Sequence, residues 1–113
     1  MTTVISRTEL EALLATDGVT LVDALPQSYY DQQHLPGAIN LVESDVAARA
    51  GELLPDRTRT IVTYCSNPSC PNSKAVARRL VALGYLDVRA YEGGIQDWVE
   101  AGNAVESTAA AHA

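Results

Sequence analysis

The run Thr60-Ile-Val-Thr-Tyr-Cys65-Ser-Asn-Pro-Ser-Cys70-Pro-Asn-Ser73-Lys-Ala-Val-Ala-Arg-Arg-Leu80 reads as a strand, a loop and a helix in succession. Thr60 to Cys65 is nearly continuous in apolar and β-branched residues, the pattern of a central strand covered on both faces. Pro68 and Pro71 end that regularity. From Ser73, Val76, Leu80 and Leu83 recur at helical spacing while Lys74, Arg78 and Arg79 fall on the water side. Gly84 stands where a helix takes its C-terminal cap. A strand followed by a helix is half of a crossover unit, the connection that parallel strands require.

The same alternation extends in both directions. Upstream, Val19 to Ala24 is a second β-branched run, preceded by Ser6-Arg-Thr-Glu9, which has the spacing of a capping box. Leu10, Leu13 and Leu14 then follow at helical spacing until Asp17-Gly18. Pro26 suits the first turn of a short helix over 26–33, with Tyr29 or Tyr30 on its inner side. His34-Leu-Pro-Gly-Ala38 is a turn and Ile39 to Val42 a brief strand. Val46, Ala50, Leu53 and Leu54 share one helical face, closed by Pro55-Asp56. Downstream, Val88 to Tyr91 is a last strand, Gly93-Gly94 a turn, and Ile95 to Ala101 a helix around Trp98. The reading is a single α/β domain over residues 1–106, a parallel sheet with helices on both faces, followed by an Ala-rich tail over 107–113 expected to fray.

Composition narrows the function. The chain has 113 residues, room for one core, and 47% of them are hydrophobic, as in a globular domain. Eight Lys and Arg against fourteen Asp and Glu give a net charge of −6, which argues against a nucleic-acid partner. No apolar run is long enough to span a bilayer, and the N-terminal residues lack the pattern of a secretion signal. Two cysteines do not make a disulfide scaffold, so the expectation is a cytoplasmic protein with both as thiols.

In open α/β sheets ligands gather beyond the carboxyl ends of the strands, where Cys65 sits. Loop amides curling around its sulfur, with the positive end of the following helix, would stabilise a thiolate and lower its pKa. A thiolate is the reactive form of cysteine, as nucleophile and as carrier of a second sulfur atom. The competing reading makes Cys65 a small buried hydrophobe.

Leu21-Val-Asp23-Ala, Tyr30 and His34-Leu-Pro-Gly-Ala-Ile-Asn-Leu41 resemble the first signature of the rhodanese-like domain. Tyr64-Cys65, Ala77, Leu80, Leu83-Gly84-Tyr85, Val88 and Gly93-Gly94-Ile95-Gln-Asp-Trp98 resemble its second half. The match covers about residues 4–105. It implies a three-layer α/β/α fold around a five-stranded parallel sheet. It also implies a sulfurtransferase that moves sulfane sulfur from thiosulfate or a persulfide donor to a thiol, protein-cysteine or cyanide acceptor, with the persulfide on Cys65. Ser66, Asn67, Ser69, Cys70, Asn72 and Ser73 make up the active-site loop, with Ser73 expected to cap the helix and touch the sulfur. No cofactor and no metal is implied. The oligomeric state is left open.

Several features depart from the family pattern. The loop is longer by two residues, yet carries no Arg to clamp a tetrahedral anion, so phosphatase chemistry is disfavoured. Pro68 and Pro71 remove two N–H donors while stiffening the loop. Leu25 stands where the family commonly has Arg partnering the residue matching Asp23; this disfavours anionic thiosulfate relative to thiol or persulfide donors. Cys70 lies five residues beyond Cys65 and is either a resolving thiol or a loop spectator. His34 is expected to be structural, bonded to nearby backbone, and Glu92 and Asp97 to be solvated carboxylates. Two rivals to the transferase remain. One is a non-catalytic binding or regulatory module of the same fold; the other is a thiol redox or arsenate-reducing protein using both cysteines.

Overall fold

The computed structural model describes residues 3–108. Five parallel strands, β1 (Thr3–Ile5), β2 (Val19–Asp23), β3 (Ile39–Asn40), β4 (Thr60–Tyr64) and β5 (Val88–Tyr91), form one sheet in the order β1-β5-β4-β2-β3. β4 is central, with Asp23 in register with Tyr64 on one side and Tyr91 on the other. Five helices complete the layers: α1 (Arg7–Leu14), α2 (Gln27–Gln32), α3 (Val46–Leu53), α4 (Asn72–Ala82) and α5 (Gly94–Glu100). A 3-10 turn, Glu43–Asp45, leads into α3.

Side chains alternate between the two faces of the sheet, which splits the apolar residues into two cores. Val22, Ile61 and Val88 face α3 and α4, packing with Val46, Ala50, Val76 and Leu80. Leu21, Val62, Tyr64 and Tyr91 face the other way, against Leu10 of α1 and Ile95 and Trp98 of α5. The continuous apolar run of β4 is thus covered on both sides.

Local signals place the elements. Ser6 and Glu9 form the reciprocal capping box, with Ser6 Oγ accepting from the Glu9 N–H at 3.2 Å and Glu9 Oε1 accepting from the Ser6 N–H at 3.0 Å. Gly84, with φ of +96°, ends α4 in the left-handed conformation that glycine tolerates best. Its N–H donates to Val81 and the Tyr85 N–H to Leu80, the pattern that satisfies carbonyls at a helix end.

Four details differ from the sequence expectations. β1 was not legible, because three residues with one buried side chain carry no periodic signal. Pro26 lies just before α2 rather than in its first turn, and β3 stops at Asn40. Ser73 is not a cap. Pro71 occupies the cap position of α4 and Ser73 lies inside its first turn, buried, its carbonyl accepting from Thr63 Oγ1 at 2.8 Å. Of the expected tail, Ser107 Oγ donates to the Asp31 carbonyl at 3.0 Å, and residues 109–113 lie outside the described residues.

Candidate functional site

β4 ends at Tyr64 and delivers Cys65 to the rim of the sheet. The loop beyond it is built around Asn67. The Cys70 N–H donates to the Asn67 carbonyl at 3.1 Å and the Ser69 N–H to Asn67 Oδ1 at 2.9 Å. Pro68 occupies the second position of this turn, where a fixed φ is favourable and no N–H is required. The backbone donors of Ser69 and Cys70 are therefore consumed inside the turn.

The start of the loop is seated by α5. The Ile95 N–H donates to the Cys65 carbonyl at 2.8 Å and the Gln96 N–H to the Ser66 carbonyl at 2.9 Å. These bonds require close approach of two backbones, and Gly94 permits it. Its φ is +72°, and a Cβ there would stand 2.6 Å from Ser66 C and 2.7 Å from Asn67 N and Cys65 O.

The two thiols differ in environment. Cys65 is 1% exposed. Its S–H donates to the Cys70 carbonyl at 3.2 Å, and Ser73 Oγ lies 3.7 Å from the sulfur. Burial, and next the contact with Cys70, push its pKa above the ordinary thiol value, against the opposing pull of the Ser73 N–H and hydroxyl. Cys70 is half-buried. Its burial acts upward, but the Cys65 thiol, the N–H groups of Asn72 and Ser66 and the Ser66 hydroxyl outweigh it and leave the pKa below the ordinary value. The expected cradle of loop amides around Cys65 is thereby corrected. The N–H groups of Ser69 and Cys70 are spent on Asn67 and do not reach the Cys65 sulfur.

A second layer fixes the floor. Asp23 is fully buried, with Oδ1 accepting from the Leu25 N–H at 2.8 Å and Oδ2 from the Tyr64 hydroxyl at 2.9 Å. These bonds replace the arginine partner that Leu25 does not supply. Burial still holds the Asp23 pKa above the usual carboxylate range. The Tyr64 hydroxyl in turn accepts from the Leu35 N–H at 3.0 Å. Asn72 Nδ2 donates to the Ala24 carbonyl and Asn40 Nδ2 to the Leu25 carbonyl, tying the end of β2 to the loop. His34 Nδ1 faces the Tyr30 carbonyl at 2.7 Å and its ring stacks on Tyr30, contacts of a structural residue. Asp97 is not simply solvated, for it accepts from Arg7 Nη1 at 2.9 Å and from the Tyr91 hydroxyl. Glu92 pairs with Lys74 at 2.6 Å.

Beside the loop opens a cleft of about 400 Å³ lined by Leu25, Tyr29, Ser66, Ile95, Gln96 and Glu100, among others. Among the described residues that line it, Glu100 alone is charged. Sequence reasoning missed the role of Gly94 and the α5 amides; the Gly93-Gly94 pair was a visible signal, but nothing in it told which backbone it would touch. No helix among the described residues is long and apolar enough to cross a membrane, and no group of three or more His, Cys, Asp or Glu among them is placed to hold a metal.

Comparison with known proteins adds to this geometry. The family model described as rhodanese-like domain matches residues 6–101. An HTH-type transcriptional regulator of Mycobacterium tuberculosis is 35% identical over 105 residues, 93% of this chain but 45% of that protein. The chain thus spans less than half the length of that relative. The thiosulfate sulfurtransferase GlpE of Pseudomonas syringae is 28% identical over 85 residues, covering 75% of this chain and 76% of that protein. The crystal structure of a Bacillus halodurans protein matches with a TM-score of 0.85 at 24% identity, covering 96% of this chain and 79% of that one.

Proposed function

The chain belongs to the rhodanese-like domain family, and on that footing we propose that it is a sulfurtransferase working through a cysteine persulfide in the loop between β4 and α4. A thiolate attacks the outer sulfur of thiosulfate or of a thiol persulfide. The bond to the inner atom breaks, and its electron pair leaves with sulfite or thiolate. An acceptor thiolate then removes the outer sulfur from the loop cysteine and restores it. The family resemblance assigns the persulfide to Cys65; Ser66, Asn67, Ser69, Cys70, Asn72 and Ser73 complete the loop.

The observation that supports this reading best is the meeting of two free thiols at the rim of the central strand, beside an open cleft. The cleft lining favours a thiol persulfide over thiosulfate, because it offers a dianion no cationic partner. Incubation with thiosulfate or glutathione persulfide, followed by intact mass, tests the proposal. A gain of one sulfur atom that cyanide or a thiol removes is the expected result, and an unchanged mass with every donor refutes it.

A second reading has its own support. The burial of Cys65 and the name of the mycobacterial relative favour a regulatory module that keeps the fold without turnover. That reading predicts no sulfur loading.

A further inference from the structure

We propose that the cleft beside the loop seats a small aminothiol, with Glu100 holding its ammonium group, and that this contact selects the thiol that takes sulfur from Cys65. The proposal rests on the sulfurtransferase reading with Cys65 as carrier and names the substrate class within it.

The cleft reaches Ser66, the residue next to Cys65, and one wall runs along α5 through Gln96 and Glu100. The Gln96 N–H holds the Ser66 carbonyl at 2.9 Å, which ties that turn of α5 to the loop. Glu100 lies four residues further along, about 6 Å up the helix axis and on the same face. A two-carbon thiol with a terminal ammonium spans that interval, its sulfur toward the loop and its charge toward the carboxylate.

The lining is matched to such a ligand. Gln96 Nε2 donates to Glu100 Oε2 at 3.2 Å and holds the carboxylate on the cleft side of the helix. Glu100 Oε1 has no hydrogen bond or ion pair among the described residues, so it is available to a cation. Tyr29 and Val99 stand in the same lining 57% and 41% exposed, an open aromatic and aliphatic surface beside the carboxylate. That combination suits an alkylammonium: the carboxylate pairs with the charge, the ring face attracts it, and apolar surface covers the methylene carbons. The other polar residues of the lining are uncharged. A thiol ending in a carboxylate would instead meet like charge at Glu100, on a chain of net charge −6.

In the transfer, the aminothiol thiolate attacks the outer sulfur of the Cys65 persulfide. The bond to Cys65 Sγ breaks and its electron pair stays on Sγ, so the protein returns as thiolate and the aminothiol leaves as its persulfide. The ammonium keeps its proton throughout, and no external oxidant or reductant enters.

The test loads the full-length protein with sulfur from thiosulfate or glutathione persulfide and follows its discharge by intact mass. Cysteamine, 2-mercaptoethanol and 3-mercaptopropionate serve as acceptors of similar size and different charge. Each rate is read as wild type over Glu100→Gln, so the intrinsic reactivity of the thiol cancels. The ratio should be about threefold or more for cysteamine, near one for 2-mercaptoethanol and below one for 3-mercaptopropionate, the scale of one exposed ion pair. Salt at about 1 M should bring all three ratios to one. Equal ratios at low salt, in a protein that loads and discharges sulfur, overturn the assignment and leave the transferase reading standing. A wild-type protein that gains no sulfur from any donor refutes both.

Discussion

Replacing Gly94 by alanine should damage the site and the fold together, and the structure sets the size of the effect. At φ of +72° an L side chain is strained by about 1–2 kcal/mol. The new Cβ would also meet three backbone atoms of residues 65–67 at 2.6–2.7 Å, well inside van der Waals contact. Backbone cannot rotate away as a side chain can, so overpacking adds about 1–3 kcal/mol. The sum, about 2–5 kcal/mol, lowers the urea midpoint by at least about 1 M for a domain with an m-value of about 1–2 kcal/mol per M. Gly102 provides the control, since it has φ of +84° and nothing within 4 Å of its added Cβ. Gly102→Ala should show the strain and not the collision. Because the displaced atoms belong to Ser66 and Asn67, Gly94→Ala should also change the alkylation rate of Cys70, and Gly102→Ala should not. Equal urea midpoints for the two variants would refute the claim that α5 seats the loop by close backbone approach.

Other outcomes follow from single contacts. The Asp23 carboxyl binds its proton more tightly folded than unfolded, so its contribution to stability is fully present below about pH 4 and is lost as pH rises through its folded pKa. Asp23→Asn should remove that decline, and parallel urea-midpoint profiles for variant and wild type would show the carboxyl does not titrate this way. Ser66→Ala deletes a hydroxyl donor to Cys70 and should move the alkylation midpoint of that thiol upward; an unmoved midpoint would exclude the contact. Leu25→Arg puts a cation into the cleft and should raise the preference for thiosulfate over glutathione persulfide by roughly tenfold, the worth of one charged hydrogen bond of about 1.5 kcal/mol. Ser6→Ala breaks the capping box and should cost about 1 kcal/mol in urea denaturation, with sulfur loading intact.

What the sequence made legible divides along a physical line. Features encoded within a few residues came through: the Ser6–Glu9 box, the left-handed Gly84, the doubly covered run of β4 and the turn chemistry of His34 to Ala38. Features created by contacts between distant segments did not. Asp97 looks like a surface carboxylate until Arg7, 90 residues away, is placed against it. The orientation of the Cys65 and Ser66 peptides is the clearest case. Their carbonyls point where the amides of Ile95 and Gln96 pull them, so the orientation of these two peptides is decided from outside the loop. The sequence marked Ser66 to Pro71 as loop but carried Asn72 and Ser73 with it, which belong to α4, and it had no access to the directions of the loop dipoles.

The sheet order has a consequence for synthesis. β1 holds the third residue of the chain, yet its hydrogen-bonding neighbour is β5, with Thr3 beside Arg89. On a ribosome, which makes chains from the N-terminus, β1 waits for β5, the last strand of the sheet in chain order, and the closure of so large a loop is an entropic cost met late. A nascent chain halted anywhere before Val88 leaves β1 unmatched and one flank of β4 open. Closure of the sheet during synthesis therefore depends on the emergence of β5, rather than on growth of the early helices.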